Sequence, residues 1–238
     1  MAKRTLIQIL TAFLYNGNLP GFLNGRIWQG PSKSICVPGL NCYSCPGALG
    51  ACPLGALQSS LSGVLLRFPF YVLGLMLLFG LLFGRTVCGW LCPFGFIQEL
   101  LYKIPSPKFT KNKATRTLTK LKYIIGLLFV IILPVIFFYV VGVGAPAFCK
   151  YICPAGTLEA ALPLLSTNPF LKQNLGMLFN WKLFLLLVTV IASIVIYRPF
   201  CRFICPLGAF YSLFNKLSYF IILIKVHHIQ FFCRRIFK

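Results

Sequence analysis

The sequence predicts an all-α integral membrane protein of about four transmembrane helices, with short cysteine-rich motifs at the helix ends. Three observations carry this expectation. The chain is 58% hydrophobic and only 11% charged, whereas an ordinary soluble domain carries about 25% charged residues. Long apolar runs recur at the lengths that a hydrocarbon core of about 30 Å demands. One phrase, Cys-Pro-x-Gly, occurs four times: Cys52-Pro53-Leu54-Gly55, Cys92-Pro93-Phe94-Gly95, Cys153-Pro154-Ala155-Gly156 and Cys205-Pro206-Leu207-Gly208.

Each predicted span has its own justification. Residues 122–142 are nearly all apolar, and Pro134 inside them predicts a kink that neighbouring helices must re-satisfy. Residues 181–197 form an apolar run near the short limit for a crossing, about 17 residues. Residues 61–83 make a third span, with Arg67 near its start placed to snorkel to the interface. Residues 5–23 are a weaker span, broken by Asn16, Gly17, Asn18 and Pro20. Residues 209–226, interrupted by Asn215 and Lys216, either cross or lie in the interface. The segment from Met1 to Leu14 starts basic like a signal peptide, but no small-residue cleavage site follows it, so it reads as retained. Residues 1–226 thus form a single membrane domain, and 227–238 a short basic tail.

The formal charge is +21, with Glu99 and Glu159 the two acidic residues. Nucleic-acid binding is excluded as a reading because the cations flank apolar spans instead of lining a soluble face. Threading the four spans leaves Arg26, Lys33, Arg67, Lys150, Lys172 and Lys182 on one side, and the other 17 of the 23 lysines and arginines opposite. The richer side is cytoplasmic by the positive-inside rule. The same threading puts Cys88, Cys92, Cys201 and Cys205 on the cytoplasmic side. Cys36, Cys42, Cys45, Cys52, Cys149 and Cys153 fall on the other, six thiols whose pairing the sequence leaves open.

Repeated paired cysteines in an apolar chain need a shared chemical reason. Cys88-x3-Cys92, Cys149-x3-Cys153 and Cys201-x3-Cys205 place two thiols on one face of a helical turn, roughly 6 Å apart. Proline after the second cysteine suits a first helical position, and the free amides of a helix start favour a thiolate. Four thiolates from Cys88, Cys92, Cys201 and Cys205 match the ligand set of one [4Fe–4S] cluster. A closed zinc site also takes four thiolates, but proline directly after a ligand cysteine is the ferredoxin pattern. Buried structural thiols, and disulfides within 36–52, are the duller alternatives. Glu99 and Glu159 read as helix-surface polarity before any proton role, and His227 and His228 as solvent-facing. No Walker loop, G-x-G-x-x-G, H-E-x-x-H or G-x-S-x-G is present, so nothing points to hydrolysis or nucleotide binding.

Cys88-Gly-Trp-Leu-Cys92-Pro-Phe-Gly95 and its two partners resemble the C-x3-C-P signature of polytopic ferredoxin-type membrane proteins, the NapH/MauN type and the C-terminal part of the NosR type. The stretch from Cys36 through Cys42 and Cys45 to Cys52-Pro-Leu-Gly55 resembles the N-terminal motif of bacterial 4Fe–4S binding proteins. The resemblance covers about residues 5–225. It implies a multi-pass inner-membrane electron carrier of a bacterium or archaeon, holding one or more [4Fe–4S] clusters and serving a ferredoxin, flavoprotein or quinol-linked partner. It carries Cys88, Cys92, Cys201 and Cys205 over as cluster ligands, and Cys149 and Cys153 after them. Members often end in a soluble ferredoxin module, whereas here only Cys233 stands in 227–238. The expected function is electron transfer as a carrier or oxidoreductase subunit, not stand-alone catalysis. A membrane thiol–disulfide relay and a cluster-free transporter or structural subunit are the rivals.

Overall fold

Proline punctuates the helices of this protein. The computed structural model describes residues 2–62, 69–109, 117–142, 144–173 and 175–219. In chain order they form α1 (Ala2–Tyr15), α2 (Leu19–Asn24), α3 (Pro53–Leu61), α4 (Phe70–Phe83), α5 (Thr86–Trp90) and α6 (Pro93–Tyr102). Next comes α7, helical over Leu121–Ile125, a π-turn over Gly126–Ile132, and helical again over Leu133–Val141. Then follow α8 (Ala147–Tyr151) and α9, which runs Pro154–Gly156, a π-turn Thr157–Ala161 and Leu162–Thr167. The last are α10 (Pro169–Gln173), α11 (Met177–Val195), α12 (Pro199–Phe203) and α13 (Pro206–Leu213). Among the described residues, extended pairing is limited to one parallel bridge between Cys36 and Ala51.

Every Cys-Pro-x-Gly phrase opens a helix, α3, α6, α9 or α13, with its proline at the start and its cysteine as the N-cap in extended backbone. Proline disfavours helical geometry at the residue before it. Cys88, Cys149 and Cys201 lie one short helix upstream, in α5, α8 and α12. The paired cysteines therefore straddle a break between two helices. They do not share one helical turn, as their i, i+4 spacing alone suggests, and the proline is the reason.

Two described helices are long and apolar enough to cross a membrane, Leu121–Val140 and Met177–Val195. They match the expectations at 122–142 and 181–197, the second beginning four residues early. The other two spans differ from expectation. Residues 61–83 are not one described helix: α3 closes at Leu61, and α4 has 14 residues, or about 21 Å, short of a hydrocarbon core of about 30 Å. Residues 5–23 are divided, because α1 ends at Tyr15 and α2 restarts at Leu19. Asn side chains compete with helix for backbone hydrogen bonds: Asn16 Nδ2 donates back to Ala12 O, and Asn18 Nδ2 donates to Pro46 O in a distant loop. Arg67, His227, His228 and Cys233 lie outside the described residues.

Pro134 has a structural consequence beyond a kink. In the π-turn, Leu133 N–H bonds to Leu128 O, five residues back. The corresponding partner for Phe129 O is Pro134, which has no N–H. Gln58 Nε2 fills the vacancy at 3.1 Å. A helix defect in α7 is thereby repaired by a side chain from α3.

Packing is inside-out relative to a soluble domain. The core is made largely of motif residues: Leu40, Cys52, Leu54, Cys92, Phe94, Phe148, Cys153, Phe200, Cys205, Leu207 and Tyr211. The long apolar helices remain on the outside, only 11% of each apolar window being buried. Leu127, Ile131, Tyr139, Phe184, Leu187 and Ile191 all stand exposed. A contiguous apolar surface of this kind marks a lipid or partner interface.

One polar cluster ties three elements together. Glu99 on α6 pairs with Arg4 of α1 and, at 2.9 Å, with Arg198 before α12. Gln8 Nε2 donates to Glu99 Oε2 at 2.9 Å, and Tyr197 OH donates to Oε1. This replaces the expected surface role of Glu99 with a partly buried ionic junction. Burial pushes the carboxyl up, but bonds from Tyr197 and Gln8 and the charges of Arg198 and Arg4 outweigh it, holding the pKa at about 2. A depressed carboxylate contributes stability that is complete above its unfolded value, about 4.3, and is lost as pH falls toward about 2. Thermal unfolding in detergent should show this acid-side loss between roughly pH 4.5 and 2. Glu99→Gln should flatten it; an unchanged acid limb would remove Glu99 from the account.

Candidate functional site

Two groups of four thiols form around the helix starts. The first joins Cys88 and Cys92 of the α5–α6 break to Cys201 and Cys205 of the α12–α13 break. Burial, then the charges of Cys92 and Cys88, push Cys201 up, and burial, then Cys201 and Cys88, push Cys205 up. Burial, then Cys92, pushes Cys88 up to about 12, and Arg85, Arg198 and Lys122 pull the other way. Amides of Leu40 and Gly95 face Cys92 Sγ, and the Gly208 amide faces Cys205 Sγ. These are electrostatic approaches to the sulfur and not formed capping bonds.

The second group takes four of the six thiols whose pairing the sequence leaves open. Cys42, Cys52, Cys149 and Cys153 line one cavity of about 400 Å³ with Gly55 and Gly156. Burial pushes Cys42, Cys52 and Cys153 up to about 12. Amides of Gly55, Leu54 and Asn41 oppose this at Cys52, and those of Gly156 and Ala155 at Cys153. Cys36 and Cys45 stay outside the cavity. Cys36 is held in the bridge to Ala51, and Cys45 Sγ lies 3.6 Å from Asn16 Oδ1. All ten described cysteines are free thiols.

The residue six places after each motif cysteine braces the site across the repeat. Gln58 Oε1 accepts from the Cys149 amide at 3.3 Å, and Glu159 Oε2 accepts from the Cys42 amide at 2.7 Å. Gln98 Oε1 accepts from the Phe200 amide at 3.2 Å while its Nε2 donates to Cys201 Sγ at 3.2 Å. Tyr211 OH donates to Pro38 O at 3.0 Å. The repeat position is legible in the sequence, but its cross-bracing role is not, because each partner comes from a distant segment. Glu159 is therefore no surface residue. Burial pushes its carboxyl up to about 8 against the pull of the Cys42 amide, and its Oε1 has no hydrogen-bond partner.

The two groups also stand closer together than the threading suggests. Opposite sides of a hydrocarbon core are about 30 Å apart, yet Cys92 and Cys205 of the first group share one core with Cys52 and Cys153 of the second, and Cys88 and Cys149 pack against it. The cause is the stretch from Cys36 to Asn41, which carries no charge and packs wholly inside the protein. A Cβ added at Gly39 would stand 3.1 Å from Cys92 Cα, so any side chain there would press this loop away from the second motif.

The profile of the 4Fe-4S binding domain family matches residues 66–112, 124–166 and 180–225, more than half of the chain. The chain belongs to the 4Fe-4S binding domain family. Its cofactor is the [4Fe–4S] cluster, in one or more copies. The uncharacterized protein MJ0750 of Methanocaldococcus jannaschii is 33% identical over 147 residues, covering 59% of this chain and 52% of its own. Protein NirI of Paracoccus denitrificans is 34% identical over 147 residues, covering 59% of this chain and 19% of its own. Regulatory protein NosR of Pseudomonas aeruginosa is 32% identical over 138 residues, covering 54% and 16%. The chain thus spans about half the length of the first relative and under a fifth of the other two. No solved structure matches.

The residues present fit this cofactor. Each group offers four sulfur donors, the family's ligand type. Among the described residues no three Cys, His, Asp or Glu side chains converge on the position of a single metal ion. A zinc ion needs sulfurs at about 2.3 Å from one point, whereas a four-iron cube separates its ligands more widely. Cys88, Cys92, Cys149, Cys153, Cys201 and Cys205 lie within matched segments, and Cys42 and Cys52 outside them.

Gln58 links the helix defect of α7 to the Cys149 amide. Gln58→Leu should leave two part-buried backbone groups unpaired, at about 1–2 kcal/mol each. A denaturant midpoint in detergent should fall by an amount worth roughly 2–4 kcal/mol; no change would mean that Phe129 O and Cys149 N find other partners.

Proposed function

We propose that this chain is a multi-pass protein of a bacterial or archaeal cytoplasmic membrane that relays electrons through a [4Fe–4S] cluster held by Cys88, Cys92, Cys201 and Cys205. The observation that carries this reading is a set of four free thiols, Cys92 and Cys205 buried and Cys88 and Cys201 half-buried in a cavity wall shared with Arg85, Lys122 and Arg198. When bound, the cluster supplies one-electron transfer, and no substrate bond is made or broken at the site. The protein's residues supply the setting. Gln98 Nε2 donates to Cys201 Sγ, backbone amides face Cys92 and Cys205, and the cations favour the more negative, reduced state.

The four-crossing reading, at 5–23, 61–83, 122–142 and 181–197, is supported by the two long apolar helices α7 and α11 and has only the 14-residue apolar α4 at 61–83 and the divided α1–α2 pair at 5–23. Residues 1–226 are read as one domain and 227–238 as a basic tail, with the cation-rich side facing the cytoplasm. On that side a cavity of about 970 Å³ has Cys88 and Cys201 in its wall, together with Arg85, Lys108, Arg202 and Tyr102. Such a basic opening suits an acidic redox partner, a ferredoxin, a flavoprotein or a quinol-linked protein.

Anaerobically purified protein should be brown, with iron and sulfide in equal amounts and an EPR signal on reduction. Cys88→Ser and Cys201→Ser should each lose the iron of this site and electron transfer with it. A colourless, iron-free protein with reducible disulfides would favour the relay. Reduction by an acidic ferredoxin should also slow by on the order of tenfold between about 0.1 M and 1 M salt, as the screening length shortens from about 10 Å to about 3 Å. A salt-independent rate would rule out docking at the basic opening.

A further inference from the structure

We propose that Cys42, Cys52, Cys149 and Cys153 hold a second [4Fe–4S] cluster, placed close enough to the first for the two to be magnetically coupled. This rests on the reading of the first site given above. Half of the proposed ligand set, Cys42 and Cys52, lies outside the segments that match the family, so the family match does not supply it.

Three features select these four thiols from six. They share one cavity wall, which Cys36 and Cys45 do not reach. The glycines of the two contributing phrases face the opposite segment's sulfur: a Cβ at Gly156 would stand 3.6 Å from Cys42 Sγ, and one at Gly55 3.9 Å from Cys149 Sγ. Each glycine thus leaves room beside a thiol that a larger residue would occupy. The third feature is reciprocity. Gln58 from the Cys52 phrase holds the Cys149 amide, and Glu159 from the Cys153 phrase holds the Cys42 amide. Each half of the site is therefore oriented by the other. Lys182 sits beside the group, its Nζ donating to Cys149 O at 3.3 Å, where it offsets part of the buried negative charge.

Closeness to the first site rests on separate contacts. A Cβ at Gly39 would stand 3.1 Å from Cys92 Cα of the first group, and the next two residues, Leu40 and Asn41, share the second group's cavity wall with Cys52. Adjacent Cα atoms are about 3.8 Å apart. Three consecutive residues, 39–41, therefore reach from one site to the other, a span on the order of 10 Å. On another side, Phe148 precedes Cys149 and Phe200 precedes Cys201, and their ring centroids are 6.4 Å apart. Tyr211 lies between the groups, fully buried. Electrons crossing between the sites have a short path through packed protein, not a bilayer-wide gap.

The test is iron quantification and EPR of the dithionite-reduced full chain. The wild type should hold about eight irons and give a signal broadened by spin–spin interaction. Cys42→Ser and Cys149→Ser should each lose about half the iron and leave a simple, uncoupled signal. Cys36→Ser and Cys45→Ser should keep the full iron content and the coupling. About four irons in the wild type, or full iron in both Cys42→Ser and Cys149→Ser, overturns the proposal; so does a two-cluster signal without interaction. Should the variants not fold, the wild-type iron count and line shape decide alone. Four irons that disappear in Cys88→Ser would end this inference while leaving the first site standing, whereas an iron-free wild type ends both.

Discussion

Buried thiolate charge is the constraint on which the rest of this structure depends. An isolated anion in a low-dielectric interior is strongly disfavoured, and here eight thiols gather within one apolar body. The chain answers with backbone. Each Cys-Pro-x-Gly phrase turns a helix start toward its own cysteine, so that unpaired amides face sulfur. Cations add to this at the first group, through Arg85, Arg198 and Lys122. Lys122 is almost wholly buried, with Nζ 3.2 Å from Ser212 Oγ. A buried lysine near the start of an apolar helix is costly unless it has a partner of opposite charge, and the thiolate ligands of a bound cluster would give it one.

The same constraint explains why helix defects lie next to the site. Pro134 leaves Phe129 O without an intrahelical partner, and Gln58 uses that carbonyl to fix its own amide group. With Nε2 held there, Oε1 points at the Cys149 amide. A defect in one helix thus becomes a positioning device for a thiol on another. Arg198 is a second case. It is the one described non-glycine residue with positive φ, at 50°, a conformation that costs free energy in an L residue. In that pose its guanidinium reaches Cys88 O at 2.6 Å and Glu99 at 2.9 Å, joining the first site to the α1–α6 junction.

Sequence alone determined the all-helical character, the four motif-bearing helix starts and the donor chemistry, because these are local properties. Proline after cysteine fixes a helix start whatever surrounds it, and four sulfur-bearing repeats announce iron–sulfur ligation. The two long apolar helices were legible for the same reason. The continuous spans at 5–23 and 61–83 were not, since hydropathy sums over Asn16–Asn18 and over the end of α3 without registering either break. Tertiary structure alone decided which thiols meet. Choosing Cys42 and Cys52 over Cys36 and Cys45 depends on how an uncharged loop folds inward against Cys92, a contact that Gly39 permits and no spacing rule encodes. It also decided the roles of Glu99 and Glu159, whose partners lie about a hundred residues away along the chain. Pairings at that separation are set by packing, which local pattern cannot reach.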